Sequence, residues 1–140
     1  MVSHGLKGKN VLVAGGAKNL GGLLARKLAE QGANVVVHYN SDATRADADA
    51  TLQAIQACGV KAALVQADLS HIAAIEGLFV QAKAVMGSID IAINTVGKGL
   101  KKPFLDTTEQ DFDEMSDINS KIAYFFIQSA GRHLNDHGKI

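Results

Sequence analysis

The sequence predicts an α/β fold: a doubly wound parallel sheet with helices on both faces, three layers in all, cut off on entering a fifth strand. Three observations carry that expectation. Four short apolar runs, at residues 11–14, 34–37, 62–65 and 89–93, lack the polar alternation of a sheet with one wet face, and read as strands covered on both sides. Between them, residues 20–31, 43–58 and 70–86 carry apolar side chains at helical intervals, as at Ile72, Ile75, Leu78, Phe79 and Ala82. Gly32, Gly59 and Gly87 each follow one of these helical segments, and their spacing of about 28 residues suits one strand-plus-helix unit.

Beyond the fourth strand, residues 97–103 form a Gly/Lys-rich loop. A short acidic helix starts at Thr107 or Thr108, and a longer apolar helix covers residues 118–134. Asn135, Asp136, His137 and Gly138 end it, and Lys139-Ile140 read as the first residues of a fifth strand. A strand that stops as it begins leaves a sheet edge and a helix face without partners. Residues 1–140 are therefore expected to be the N-terminal part of a longer single-domain protein.

Composition narrows the function. With 47% hydrophobic and 20% charged residues among 140, the chain can bury one core, which excludes disorder and coiled coil. Fourteen basic and fourteen acidic side chains cancel, so neither a nucleic acid nor an anionic membrane is an expected partner. Residues 1–9 lack the apolar core of a signal peptide, and no stretch is long and apolar enough to span a bilayer, so the chain reads as cytoplasmic. Cys58, the single cysteine, has no intrachain partner and reads as a small packed residue at a helix end. No metal is expected: His133 and His137 stand four apart, but no Glu follows the first and Asn135-Asp136 breaks the helix between them. Lys98, Lys101 and Lys102, followed by a run of acids from Asp106 to Asp117, read as a solvated loop and helix face, or else as lysines that meet an anionic substrate.

The densest chemical signal is Ala14-Gly15-Gly16-Ala17-Lys18-Asn19-Leu20-Gly21, between the first strand and the first helix. Backbone amides and a helix N-terminus at that place suit a dinucleotide phosphate. The loop resembles that of the classical short-chain dehydrogenases/reductases, Thr-Gly-x-x-x-Gly-x-Gly, whose fold is Rossmann-type. Asn19 stands for the middle glycine, and Asn is the residue that best tolerates a left-handed turn. Ala14 stands for the threonine, which removes a hydroxyl but no phosphate ligand.

The resemblance recurs down the chain. Asp68-Leu69 follows the third strand, where the family holds adenine, and Asn94-Thr95-Val96-Gly97 resembles the family's Asn-Asn-Ala-Gly segment along the cofactor. Asn119, after Asp117-Ile118, matches the helix asparagine that holds a water of the proton relay, and is the catalytic residue the resemblance implies. Each also has a plainer role open to it: Asp68 as a helix cap, Asn94 as a strand terminator, Asn119 as an ordinary helix residue. The cofactor-binding set is Gly15, Ala17, Lys18, Asn19, Leu20, Tyr39, Asn40, Ser41, Asp68, Leu69, Asn94, Val96 and Gly97.

An NAD site ends its second strand in a carboxylate that binds the ribose. This chain has His38-Tyr39-Asn40-Ser41 there, with Lys18 and Arg45 nearby as cations for a 2′-phosphate, so NADP(H) is expected over NAD(H). Asp42 is the ribose ligand if the strand runs further. The resemblance implies hydride transfer between the nicotinamide and a carbonyl or alcohol carbon, with a Ser, a Tyr and a Lys beyond Ile140. Neither Tyr39 nor Tyr124 has a Lys four residues on, so the 140-residue chain alone is expected to bind without turnover. General similarity within the family points to a 3-oxoacyl-thioester reductase. The row Ile122, Tyr124, Phe125, Phe126, Ile127 exceeds one helix stripe, and the family habit implies a homo-oligomer, dimer or tetramer. The alternative is a non-catalytic dinucleotide-binding module. A methyltransferase reading is disfavoured by the missing acid at the end of the second strand.

Overall fold

The computed structural model describes residues 5–140. The signal-peptide reading of residues 1–9 rests partly on residues 1–4, which lie outside them. Four parallel strands stand in the order β3-β2-β1-β4: β1 (Asn10–Ala14), β2 (Asn34–Tyr39), β3 (Ala62–Gln66) and β4 (Ile91–Asn94). Their connections are α1 (Asn19–Glu30), α2 (Arg45–Gln56) and α3 (Ile72–Met86), as the apolar periodicity predicts. The three helix-ending glycines have φ of +89° (Gly32), +77° (Gly59) and +84° (Gly87), the left-handed turn that frees the chain to start its next strand.

The sheet has a core on each face. Val11, Val13, Val35 and Val37 pack with Ala25, Ala29 and Ile55 of α1 and α2. Leu12, Ala14, Val36 and Ala92 pack with Ile75, Leu78 and Phe79 of α3 and with Ile122, Phe126 and Ala130 of α5 (Ile122–His133). Alternate residues of one strand thus serve opposite layers, which is why the runs show no polar alternation. Lys139 pairs in parallel with Ile91, at the position expected for a fifth strand beside β4.

The region after β4 differs from expectation in one respect. The acidic helix α4 (Glu109–Ser116) and α5 are not separate: a π-helical stretch, Asp117–Lys121, joins them into one continuous rod. No Gly or Pro occurs between Glu109 and Ala130, so nothing stops the helix, and the extra residue is absorbed as a bulge. Thr108 caps α4: its hydroxyl accepts from the Asp111 amide, and the Asp111 carboxylate accepts from the Thr108 amide. Lys102 ion-pairs with that carboxylate, fastening the Gly/Lys-rich loop to α4.

Cys58 corrects the sequence reading. It is exposed, because α2 ends at Gln56 and Cys58 lies in the following turn, past the stripe of Ala48, Thr51 and Ile55 that α2 buries.

Candidate functional site

A cavity of about 480 Å³ opens at the carboxyl ends of the strands, where the chain leaves β1 for one face and β4 for the other. Such switch points are where open α/β sheets take ligands. One wall is the glycine loop: Gly15, Ala17, Lys18, Asn19, Leu20 and Gly21. The loop turns at Gly15 (φ +72°), and Asn19 sits at φ +52°, the left-handed conformation its identity foreshadows.

Close packing explains the last glycine of the motif. A Cβ on Gly21 would lie 2.0 Å from the Gly15 carbonyl oxygen, so the first turn of α1 seats directly on the loop. That turn begins without a capping side chain and without an acidic residue. Asn19, Leu20 and Gly21, the first residues of α1, line the cavity, and their amide N–H groups have no carbonyl within the helix to bond. The positive end of the helix dipole and these free donors suit an anion.

The second wall is the end of β2. His38, Tyr39 and Asn40 line the cavity together with Thr44, while Ser41 and Asp42 do not. Strand β2 ends at Tyr39, so Asp42 falls in a short helical turn, Asp42–Thr44, and the option of a ribose carboxylate there lapses. Arg45 is engaged: its Nε donates to Asp49, its Nη1 donates to the Tyr39 hydroxyl at 2.8 Å, and its guanidinium lies 5.6 Å from the Tyr39 ring centre. Lys18 at the mouth reaches Asp47 only at 3.9 Å, with both side chains about half exposed. Among the residues lining the cavity, Lys18 is the one fixed cation and Asp68 the one carboxylate.

The third wall joins the loops after β3 and β4: Asp68, Leu69, Ser70, Thr95, Val96 and Gly97. The Asp68 carboxylate accepts from the Ser70 amide at 3.0 Å, and hydrogen bonds from Ser70 hold its pKa below the usual carboxylate value. Asn94 is not on the wall: its Oδ1 accepts from the Val96 amide at 3.0 Å and shapes the turn from behind.

Asn119 lies in the π-helical stretch, just outside the wall that Ile118 and Ile122 complete. Its Oδ1 accepts from the Lys98 amide at 2.9 Å, and its Nδ2 donates to the carbonyls of Lys98 at 2.8 Å and Met115 at 3.0 Å. The side chain therefore clamps the loop after β4 to the rod. His133, of the histidine pair, sits against Glu76 of α3, and α5 ends there, so His137 is off the helix. Among the described residues no His, Cys, Asp or Glu cluster is placed to hold a metal.

Thr95 and His38 are among the lining residues that the predicted set does not contain. Thr95 lines the cavity and its hydroxyl donates to the Ala14 carbonyl at 2.8 Å, so the hydroxyl absent at position 14 is supplied from across the β1–β4 ladder. His38 is 2% exposed within β2, and a polar side chain directly after the Val35-Val36-Val37 run is its signal.

The fold defines an α/β protein of the Rossmann type, with a cavity at the carboxyl ends of its strands. Comparison narrows that to a family: the model of the enoyl-(acyl carrier protein) reductases matches residues 15–140, and this chain belongs to the short-chain dehydrogenase/reductase family. A hydroxynaphthalene reductase-like protein of Metarhizium brunneum is 33% identical over 135 residues, covering 96% of this chain and 50% of that protein. An uncharacterized oxidoreductase of Methylorubrum extorquens is 36% identical, covering 96% of this chain and 54% of its own length. The chain thus spans about half the length of the curated relatives it matches. Among solved structures, a dehydrogenase from Burkholderia cenocepacia with bound NADP superposes with a TM-score of 0.94 at 58% identity, over 100% of this chain and 53% of that one. A short-chain dehydrogenase from Oenococcus oeni superposes with a TM-score of 0.84 at 45% identity, over 95% of this chain and 60% of its own.

Proposed function

We propose that this chain is the cofactor-binding half of an NADP(H)-dependent oxidoreductase acting on a small carbonyl or alcohol. The observation that carries the reading is the meeting, in one cavity, of an uncapped helix N-terminus, a second strand that ends in Tyr39-Asn40 rather than a carboxylate, and Lys18 at the mouth. When bound, the cofactor gives or takes a hydride at its nicotinamide. The amides of Asn19, Leu20 and Gly21 hold the pyrophosphate, and Gly15 and Ala17 keep the loop close to it. Lys18, with Tyr39 and Asn40, takes the 2′-phosphate, and Ser41, off the cavity wall, is left out. Asp68 and Leu69 hold adenine, and Asn94, Val96 and Gly97 shape the run toward the nicotinamide. Asn119 fixes the loop at Lys98 and, as the family resemblance implies, orders a water of the proton relay. The serine, tyrosine and lysine of that chemistry are those the family resemblance implies beyond Ile140.

The exposed Phe112, Tyr124 and Ile127 along the α4–α5 rod support a homo-oligomer, and the reading includes a reducing, cytoplasmic setting for the exposed Cys58 thiol. The alternative, a binding module without chemistry, draws on the two tyrosines present: Tyr39 is held by Arg45 and Gln66, and Tyr124 is exposed.

Titration with NADPH and NADH, followed by a screen of carbonyl substrates that includes 3-oxoacyl thioesters, tests the reading. Expected are tighter binding of NADPH, turnover by the full-length protein and none by residues 1–140. Equal affinity for the two cofactors overturns the NADP(H) preference, and a full-length protein that binds but never oxidises NADPH leaves the module.

A further inference from the structure

His38 occupies a singular place in this cavity. Its ring Nδ1 accepts from the Gly15 amide at 3.0 Å. An N–H already pointing at Nδ1 obliges the ring proton to sit on Nε2, which donates to the Ala67 carbonyl at 2.8 Å. The main-chain carbonyl of His38 accepts from the Gly16 amide at 3.0 Å. One residue of β2 therefore fastens two successive amides of the glycine loop on one side and the peptide preceding Asp68 on the other. These are the walls that face each other across the cavity, and His38 lines it between them.

The lock requires a neutral ring. A doubly protonated imidazole carries a hydrogen on Nδ1 that confronts the Gly15 N–H, so the bond cannot survive and a desolvated cation is left at 2% exposure. Burial, the larger influence, pushes the ring pKa below its ordinary 6.5, against the opposing effect of the hydrogen bond to Ala67. The ionisable side chains on the segments packed around it have partners of their own: Lys18 with Asp47, Tyr39 with Arg45 and Gln66, Asp68 with Ser70 and His71. None is positioned to neutralise a charged ring.

We propose that His38 is a positioning residue: its neutral ring locks the glycine loop to the loop after β3, and its protonation releases Gly15 and weakens dinucleotide binding. The proposal rests on reading the cavity as a dinucleotide site, so its test has one arm that needs a ligand and one that does not. In the first, the NADPH dissociation constants of the wild type and of His38→Gln are compared from pH 8 down to below the midpoint of the ring, which the second arm locates. Glutamine keeps a neutral donor and acceptor, and the ratio of the two constants cancels the titration of the ligand's own phosphate. In the second, ¹⁵N NMR of the unliganded wild type follows the His38 ring and the Gly15 amide over the same range.

The ratio is expected to rise toward acid, approaching about tenfold per pH unit below the midpoint of the ring. The ring should be the Nε2–H tautomer at pH 8, and the Gly15 resonance should move with its titration. A constant ratio, or a Gly15 amide indifferent to the ring, overturns the proposal. If neither protein binds NADPH at pH 8, the dinucleotide reading fails by itself. The NMR arm then still decides the lock, and it also does so where His38→Gln does not fold.

Discussion

The Ala14 carbonyl accepts two hydrogen bonds from Thr95, one from its amide at 3.0 Å and one from its hydroxyl at 2.8 Å. The same hydroxyl lies 3.2 Å from the Gly15 carbonyl, so a single side chain from the end of β4 steadies the point where β1 turns into the glycine loop. Thr95→Val keeps the shape and removes the donor. The amide bond remains, so the expected loss is about 0.5–1.5 kcal/mol in urea unfolding, accompanied by weaker dinucleotide binding. Unchanged stability and unchanged binding would show that the hydroxyl is dispensable.

Gly21→Ala is expected to cost about 1–3 kcal/mol and to abolish cofactor binding, because the added methyl meets the Gly15 carbonyl at 2.0 Å and backbone lies on both sides of the clash. Gly77→Ala is the control. That glycine is inside α3 with nothing within 4 Å of a Cβ, so alanine should stabilise the helix by about 0.5–1 kcal/mol. Equal effects at the two positions would refute the close seating of α1 on its loop.

Lys18→Ala should raise the NADPH dissociation constant about tenfold, the effect of losing one charge-assisted hydrogen bond of about 1.5 kcal/mol. Its effect on NADH should stay within about twofold. Asp47→Asn frees Lys18 from its 3.9 Å partner and should tighten NADPH slightly. A parallel loss for both cofactors in Lys18→Ala would place the lysine at the pyrophosphate instead of the 2′-phosphate.

Stability should fall in steps on acidification. His38 has a folded pKa below 6.5, so the unfolded chain binds its proton first and stability begins to drop as pH falls through 6.5. Glu76, whose carboxylate is held low by hydrogen bonds from His133 and then Ser129, contributes above pH 4.5 and loses that contribution below it. Asp111, lowered to about 2 chiefly by Lys102, acts over the window from 3.8 down to about 2, and solvent screening keeps its share small. Melting temperature measured from pH 8 to pH 3 should be level above 7 and decline below 6.5. His38→Gln should flatten the first decline and Glu76→Gln the second; a profile identical in all three proteins contradicts both assignments.

The sequence made the strands, their crossovers and the glycine loop readable, because each leaves a local signature: apolar runs, helical spacing, glycine after helix. The left-handed Asn19 was legible for the same reason, since the demand falls on one residue's own backbone. What escaped depended on residues far apart. Thr95 acts on Ala14 across 81 positions, and His38 acts on Gly15 across 23 and on Ala67 across 29. The join of α4 to α5 through Asp117–Lys121 also escaped, because a π-helical bulge has no composition of its own. Arg45 reads in the sequence as a cation for phosphate, whereas in the fold Asp49 and Tyr39 hold it.

The strand order gives synthesis of this protein a timetable. β1 lies between β2 and β4, so its second edge stays open until residues 91–94 have left the ribosome. At about 5–20 residues per second, that leaves the edge of β1, with Val11, Leu12 and Val13, unpaired for several seconds. During that interval a nascent chain with β1, β2 and α1 in place presents an unpaired apolar strand, the state in which a parallel α/β protein is open to wrong pairing. The growing chain is therefore most open to wrong pairing before β4 arrives.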